Sequence, residues 1–381
     1  MIVGRSLNSA HGNAHTTFHR ALVGALVTGG HRVLFLERED RASAEPQDLP
    51  PIGRADLARY GGMDDLERRF RDRVRNADAV LVASSMTGGS DLGHWVNDVA
   101  EGITVFLDID APATLRRLEA DALPELERGL IRRYDVHLAL AGGPALRTLE
   151  QTHGCGAARA FHPMVDTREL RPARAGSQRW DVGFLGARRE EREERLEALL
   201  IEAARQDGGF TACVAGPGYP ENGAWPVNVE RLGHLPPAER ARFYGAQRFA
   251  LHVTNDEQAP GCWSPCVGLY EAAACGVPVI SAPWDGMDYF FRPGAEILVA
   301  ETSDDVLRIV HDTDASEARM IGQRARRRVL SRDTAEHRVS QLEQHLRDAR
   351  SRPRAPDRPR PKSKSRPRPM NGKHAPLRPG A

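Results

Sequence analysis

The sequence predicts an α/β protein of two Rossmann-like parallel-sheet domains, residues 1–170 and 171–349, followed by a disordered tail over residues 350–381. Three observations carry that expectation. The chain opens with a strand, a polar glycine-containing turn, a helix and a second strand, all within residues 1–37. A second such series begins at Asp181-Val182-Gly183-Phe184-Leu185-Gly186. Around them lie short apolar runs, Ala79-Val80-Leu81-Val82-Ala83 and Thr104-Val105-Phe106-Leu107 among them, of the kind that strands buried on both faces require.

Composition agrees. A chain of 381 residues, 40% hydrophobic and 28% charged, is long enough for two ordinary domains. Its net charge of +1 conceals an asymmetry: from Arg350 onward 11 Lys and Arg face Asp357 alone, which leaves 42 basic against 51 acidic residues in the rest. An acidic body argues against nucleic acid as the partner of the folded core. The tail is Pro, Arg, Lys and Ser with almost nothing to bury, so disorder is expected. It either solubilises the protein or meets a polyanion such as anionic lipid, nucleic acid or acidic glycan. Five scattered cysteines fit a reducing cytoplasm better than a disulfide framework. Cys262 and Cys266 lack the spacing and histidine neighbours of a zinc site, and no metal site is expected. With no long apolar run and no leader-like start, neither a membrane span nor a signal peptide is expected.

Taken in order, residues 1–7 form a strand and Asn8 to His15 a polar turn that opens a helix. Phe18, Leu22, Ala25 and Leu26 give that helix one buried face, and Gly29-Gly30-His31 ends it before the strand Arg32 to Glu37. The turn therefore lies at the carboxyl edge of a parallel sheet, where ligands bind. It lacks a complete GxGxxG, so no dinucleotide fingerprint is assigned. Residues 40–51 read as loop and 64–75 as a charged outer helix. The strand at 104–108 ends in Asp108-Ile109-Asp110-Ala111-Pro112. A catalytic base is one use for either carboxylate; turn chemistry and helix capping are the others. His137-Leu138-Ala139-Leu140 is a strand leading into Gly142-Gly143, where the backbone either approaches a ligand or simply turns. Residues 168–179 read as the linker.

Beyond Gly186 stand Arg188, Arg189 and Arg192 among Glu190, Glu191, Glu193 and Glu194. These guanidinium groups either meet an anion or pair with the glutamates on the surface. Strands at 210–217 and 227–232, the turn Gly233-His234-Leu235-Pro236-Pro237, a helix over 238–247 and a strand over 249–253 follow. The most informative stretch is Ser264 to Gly294. Ser264 suits an N-cap and Pro265 the first helical position, while Gly276 is a C-terminal stop before the short buried strand Val277-Pro278-Val279-Ile280. A helix N-terminus offers free N–H groups to a phosphate, and Glu271, one turn past Val267, could accept from a vicinal diol. Phosphate at the cap and ribose at the carboxylate make a nucleotide site. A strand at 296–300, a cap at Thr302 to Asp305 and helix over 316–349 complete the fold.

The run E-A-A-A-C-G-V-P-V-I resembles the nucleotide-sugar half of GT-B glycosyltransferases. The longer run, with Trp284-Asp285-Gly286, Phe290-Phe291, Pro293-Gly294 and Glu296-Ile297, resembles the spore maturation protein CgeB-like glycosyltransferases over nearly all of the folded part. The resemblance implies an N-terminal acceptor-side domain facing a C-terminal nucleotide-sugar-binding domain across a cleft, with the last helices crossing back onto the first. It implies transfer of a hexosyl or related sugar, with retention, from a nucleotide diphosphate donor to an unidentified glycan, small-molecule or protein acceptor, without metal or other cofactor. Glu271 is then the ribose ligand. The N–H groups at Cys266 and Val267, capped by Ser264, join Gly186, Arg192 and Arg188 at the diphosphate, and His234 and Leu235 lie under the base. Gly12, Asn13 and His15 match a G-N-x-H loop facing the cleft, with His15, Asp108 and Asp110 the candidates for catalysis. One departure stands out. Many retaining members have a second Glu eight residues before the ribose ligand, and here that residue is Trp263. A non-catalytic nucleotide-sugar-binding protein, a GT-B-fold epimerase or phosphorylase, and a nucleic-acid modifier recruited by the tail are the competing readings.

Overall fold

The computed structural model describes residues 1–9, 14–39, 49–120, 126–173, 178–220, 225–254 and 261–352. The first half runs β1 (Ile2–Gly4), α1 (Ala14–Thr28), β2 (Leu34–Arg38), β3 (Asp56–Tyr60), α2 (Met63–Arg75), β4 (Ala79–Ala83) and α3 (Gly89–Val99). It continues through β5 (Ile103–Asp108), α4 (Ala111–Glu119), α5 (Arg128–Ile131), β6 (Val136–Ala139), α6 (Ala145–Gln151) and β7 (Ala158–Ala160). Its seven strands pair in the order β3-β2-β1-β4-β5-β6-β7, every pair parallel. Phe18, Leu22 and Ala25 of α1 cover one face with Phe35, Leu81 and Val105. Leu66, Phe70 and Val74 of α2 and Leu92 and Val96 of α3 cover the other. That burial on both faces is what the apolar strands require.

The second half runs β8 (Trp180–Leu185), then α7 (Glu190–Leu196), which passes through a π-helical turn at Glu197–Ile201 into α8 (Glu202–Gln206). It continues with β9 (Ala212–Ala215), β10 (Val229–Leu232), α9 (Pro237–Gly245), β11 (Gln247–His252), α10 (Val267–Ala274), β12 (Val279–Ser281), α11 (Met287–Phe290) and β13 (Leu298–Val299). Three helices end it, α12 (Ser303–Asp312), α13 (Ala315–Arg332) and α14 (Ala335–Arg350). The sheet order is β10-β9-β8-β11-β12-β13, again wholly parallel. Strand order reverses direction between β1 and β4 in one sheet and between β8 and β11 in the other. Open sheets of this kind leave a ligand crevice beside such switch points.

The final helix returns to the first half. Val339 and Leu342 of α14 join the core beneath α1. At its start Val165 and Thr334 form a parallel bridge, and the buried Arg338 pairs with Asp333 at 2.5 Å while donating to His162 O and Pro163 O. α12 opens as expected, with Thr302 and Asp305 capping it reciprocally. β3 and β7 were not announced by any apolar run. Both are edge strands, and Asp56–Tyr60 leaves most of its residues partly exposed. Among the described residues no helix is long and apolar enough to cross a membrane.

Candidate active site

A cleft of about 270 Å³ lies between the two halves, walled by α1 and the turn after β5 on one side and by the loops after β8, β9, β10 and β11 with the start of α10 on the other. The backbone shapes its second wall. Gly216 sits at φ +144°, and a Cβ there would lie 2.1 Å from Gly186 O, so only glycine lets these two loops close. Gly186 N–H donates to Ala215 O and Arg188 N–H to Pro217 O, both at 2.9 Å. Behind Gly186, Arg192 is half-buried beside Phe184, its Nη2 donating to Ala187 O at 2.9 Å and its buried Nε without a partner among the described residues. Burial lowers its pKa, but a guanidinium remains charged. A half-buried cation with an unmet donor, beside a glycine turn, fits an anion.

The helix expected from Ser264 begins later than that. Cys266, extended at φ −80° and ψ 158°, is the N-cap of α10, and Ser264 and Pro265 precede it. The reason lies upstream. Trp263 pairs with Gly142 in an antiparallel bridge, which keeps the chain extended into α10. At the start of α10 the Leu269 N–H donates to Cys266 O at 3.2 Å, while the Val267 and Gly268 N–H groups have no helical carbonyl to meet. Ser264, Cys266, Val267 and Gly268 all line the cleft, as do Gly186, Arg192, His234 and Leu235. The helix closes at Gly276, at φ +76°.

Glu271 is 2% exposed yet lines the cleft. Its Oε1 accepts from Arg240 Nη1 at 2.7 Å and its Oε2 from Tyr244 OH at 3.2 Å. Burial, with Glu271 adding to it, raises the Tyr244 pKa well above its ordinary value, so the phenol stays a donor. A carboxylate offers about four lone-pair positions, so two remain for a diol.

Cys266 also faces His252, whose Nδ1 meets Ser281 Oγ at 2.9 Å. Burial alone would raise the thiol, but His252 and Arg192 outweigh it and bring Cys266 down to about 7. His15 lines the opposite wall, where burial, with Arg5 and Arg189 adding to it, lowers it to about 4 and keeps the ring neutral. Asp110 borders the cleft as well, and its Oδ1 caps α4 by accepting from Ala113 N–H at 3.4 Å.

Other expected site residues lie elsewhere. Asp108 is sealed from solvent, accepting from Thr114 Oγ1 at 2.8 Å and facing His137 Nε2 at 3.1 Å, so it sits behind the cleft wall. Arg188 is turned outward and pairs with Glu193, the surface alternative left open by its sequence. Gly12 and Asn13 lie outside the described residues, as does the tail from residue 353. Trp263 carries its ring against Gly143 and Gly286, with Tyr289 at 5.5 Å between centroids. Residues the sequence did not single out are Arg240, Tyr244 and Thr17; each lies in a helix whose polar residues read as ordinary surface.

Residues 188–344 match the glycosyl transferase-like family model, less than half of the chain. Among curated proteins none matches the chain in sequence. Solved structures do. Sucrose-phosphate synthase from Thermosynechococcus elongatus superposes with a TM-score of 0.66 at 15% identity over 91% of this chain and 98% of its own. HepE of Anabaena, in complex with UDP and glucose, gives 0.65 at 15% identity with the same coverage. An alpha-glucosyltransferase in complex with UDP and a DNA 13-mer gives 0.64 at 12% identity, over 91% of this chain and 98% of its own. The fold is thus the GT-B arrangement expected from the sequence, two parallel α/β sheets across a cleft.

Proposed function

We propose that the protein is a GT-B glycosyltransferase that takes a sugar from a nucleoside diphosphate donor bound in the cleft. The observation that carries this reading is Glu271: a buried carboxylate with two acceptor positions unfilled among the described residues, on the same helix whose N-terminus, beside Arg192, suits an anion. The glycosyl transferase-like match, and likeness to proteins solved with UDP and a sugar, support the same reading.

In the reaction, the bond between the anomeric carbon and the donor diphosphate breaks, its electron pair leaving on the phosphate oxygen. Arg192 and the first-turn N–H groups of α10 stabilise that charge, so no metal is required of this mechanism. The acceptor oxygen bonds to the same carbon, and under retention the departing phosphate oxygen takes the acceptor's proton. His15, neutral, orients the acceptor or sugar. Inversion instead would assign the proton to Asp110, whose Oδ2 has no partner among the described residues. NMR of the product's anomeric configuration decides between the two.

The first test is thermal stability against a panel of nucleoside diphosphates and nucleotide-sugars, with wild type and Glu271→Ala. A donor at about 100 times its Kd adds roughly 2.7 kcal/mol. Selective stabilisation lost in the variant is the expected result; no stabilisation by any of them sinks the donor reading. Trp263 favours a second reading, since it supplies no carboxylate where many retaining enzymes have one. Donor binding without sugar release to any acceptor or to water would make the protein a sugar-nucleotide binder.

A further inference from the structure

Arg240 has no role in the reaction just described, yet it is the side chain that ties the ribose-side carboxylate to the opposite wall of the cleft. It lies on α9, and its Nη1 donates both to Glu271 Oε1 at 2.7 Å and to Thr17 Oγ1 at 3.0 Å. Thr17 is in the first turns of α1, two residues beyond His15. One guanidinium nitrogen therefore joins α9 and α10 of the second half to α1 of the first.

We propose that Arg240 is a positioning residue that fixes the Glu271 carboxylate for the donor ribose and transmits ribose occupancy to α1, on the acceptor side. The inference rests on the donor reading above and adds the link between the two walls. Three features support it. Tyr244, one helical turn after Arg240, holds the second oxygen of Glu271, so α9 grips the carboxylate at both ends. The Arg240 side chain is only 16% exposed and that of Glu271 3%, so solvent does little to weaken the pair. Arg240 Nε is buried with no partner among the described residues, which leaves a donor for a ligand oxygen. With both oxygens held, a diol meets a carboxylate of set orientation, and any shift of that carboxylate moves the guanidinium that holds Thr17.

The test uses the nucleoside diphosphate that stabilises wild type best, and its 2′-deoxy counterpart, in calorimetric titrations of the full chain. Arg240→Ala is expected to weaken the ribonucleotide on the order of 10- to 100-fold. The 2′-deoxy compound should weaken far less, so that ribose preference collapses. Arg240→Ala combined with Glu271→Gln should lose little more than either alone. Arg240→Lys keeps the charge but reaches one partner at a time, and should recover part of the preference even if the alanine variant folds poorly. Thr17→Val removes the hydrogen bond to α1 while leaving the Arg240–Glu271 pair in place, so the preference for ribose over 2′-deoxyribose should be retained. In wild type the nucleotide should slow amide exchange across residues 14–28; in Thr17→Val that slowing should be lost. Undiminished ribose preference in both Arg240 variants, or undiminished slowing in Thr17→Val, overturns the inference while leaving the donor site intact. Failure of wild type to bind any nucleoside diphosphate overturns the donor reading and this inference together.

Discussion

Trp263 and Gly142 exchange backbone hydrogen bonds between the two halves, Gly142 N–H to Trp263 O at 2.9 Å and Trp263 N–H to Gly142 O at 3.2 Å. The residue that stands where many retaining GT-B enzymes have a glutamate is thus a clasp between the halves. Its ring needs glycine on both flanks. Gly286 sits at φ +82°, and a Cβ there would lie 2.3 Å from Trp263 Cγ. Gly294, at φ +73°, has nothing within 4 Å of the same added atom. Gly294→Ala should therefore cost about 1–2 kcal/mol for the left-handed backbone alone. Gly286→Ala should cost about 1–3 kcal/mol more through overpacking. Urea denaturation of the two variants compares them; equal losses would show that the ring yields freely.

Asp108 and His137 give the first half a pH-dependent brace. Both are fully buried. Burial alone would lower the imidazole, but bonds to Asp108 and Cys155 outweigh it and raise His137 from 6.5 to about 9. Because the folded-state value lies above the unfolded one, this contribution is fully present below about pH 6.5 and is lost as pH rises through about 9. Asp108→Asn leaves a buried imidazolium unpaired and should cost roughly 3–5 kcal/mol near pH 6. The cost should shrink as the buffer is raised past pH 9. Denaturation midpoints from pH 6 to 10 check it, and a cost that is the same at every pH would refute the charged pair.

What the sequence made legible follows a simple division. The α10 segment could be read because its signals are local: an apolar helix, Gly276 to stop it, and a strand at once after it. Its start was misjudged by two residues because the determinant, the Trp263 bridge, reaches a partner in the other half. Arg240 was illegible for the same reason. Within Ala238-Glu239-Arg240-Ala241-Arg242 it reads as surface charge, while its partners lie 31 and 223 residues away. Asp108 and Asp110 looked equivalent at a strand end. The strand is buried on both faces and takes Asp108 with it, while the turn that follows presents Asp110 to the cleft.

Cys266 should be the reactive thiol of the chain. His252 and Arg192 bring it to about 7, whereas burial raises Cys213, Cys262 and Cys275 to about 12. Among the five it is the one not fully buried. Iodoacetamide labelling read by mass spectrometry is expected to modify Cys266 first, with a rate that rises to half its maximum near pH 7. Saturating nucleoside diphosphate should protect it, because the thiol lines the same cleft. Labelling that starts at another cysteine, or ignores the nucleotide, would argue against this environment.

Arg188 and Arg192 stand four residues apart and test whether burial selects the diphosphate ligand. Arg188 is exposed and already paired with Glu193, and such surface pairs contribute about 0–1 kcal/mol. Arg192 is half-buried beside the Gly186 turn, with its buried Nε unmet among the described residues. Arg192→Ala is expected to weaken a nucleoside diphosphate by about 1.5–3 kcal/mol, the range for a hydrogen bond to a charged group. The parent nucleoside, which has no phosphate, should bind the variant as it binds wild type. Arg188→Ala should leave both ligands within about threefold of wild type. Calorimetric titration of each ligand into each variant separates the effects. If Arg188→Ala proves the more damaging, the charge that meets the diphosphate comes from the outer face of the loop, with Arg188 swinging inward from Glu193 when ligand binds.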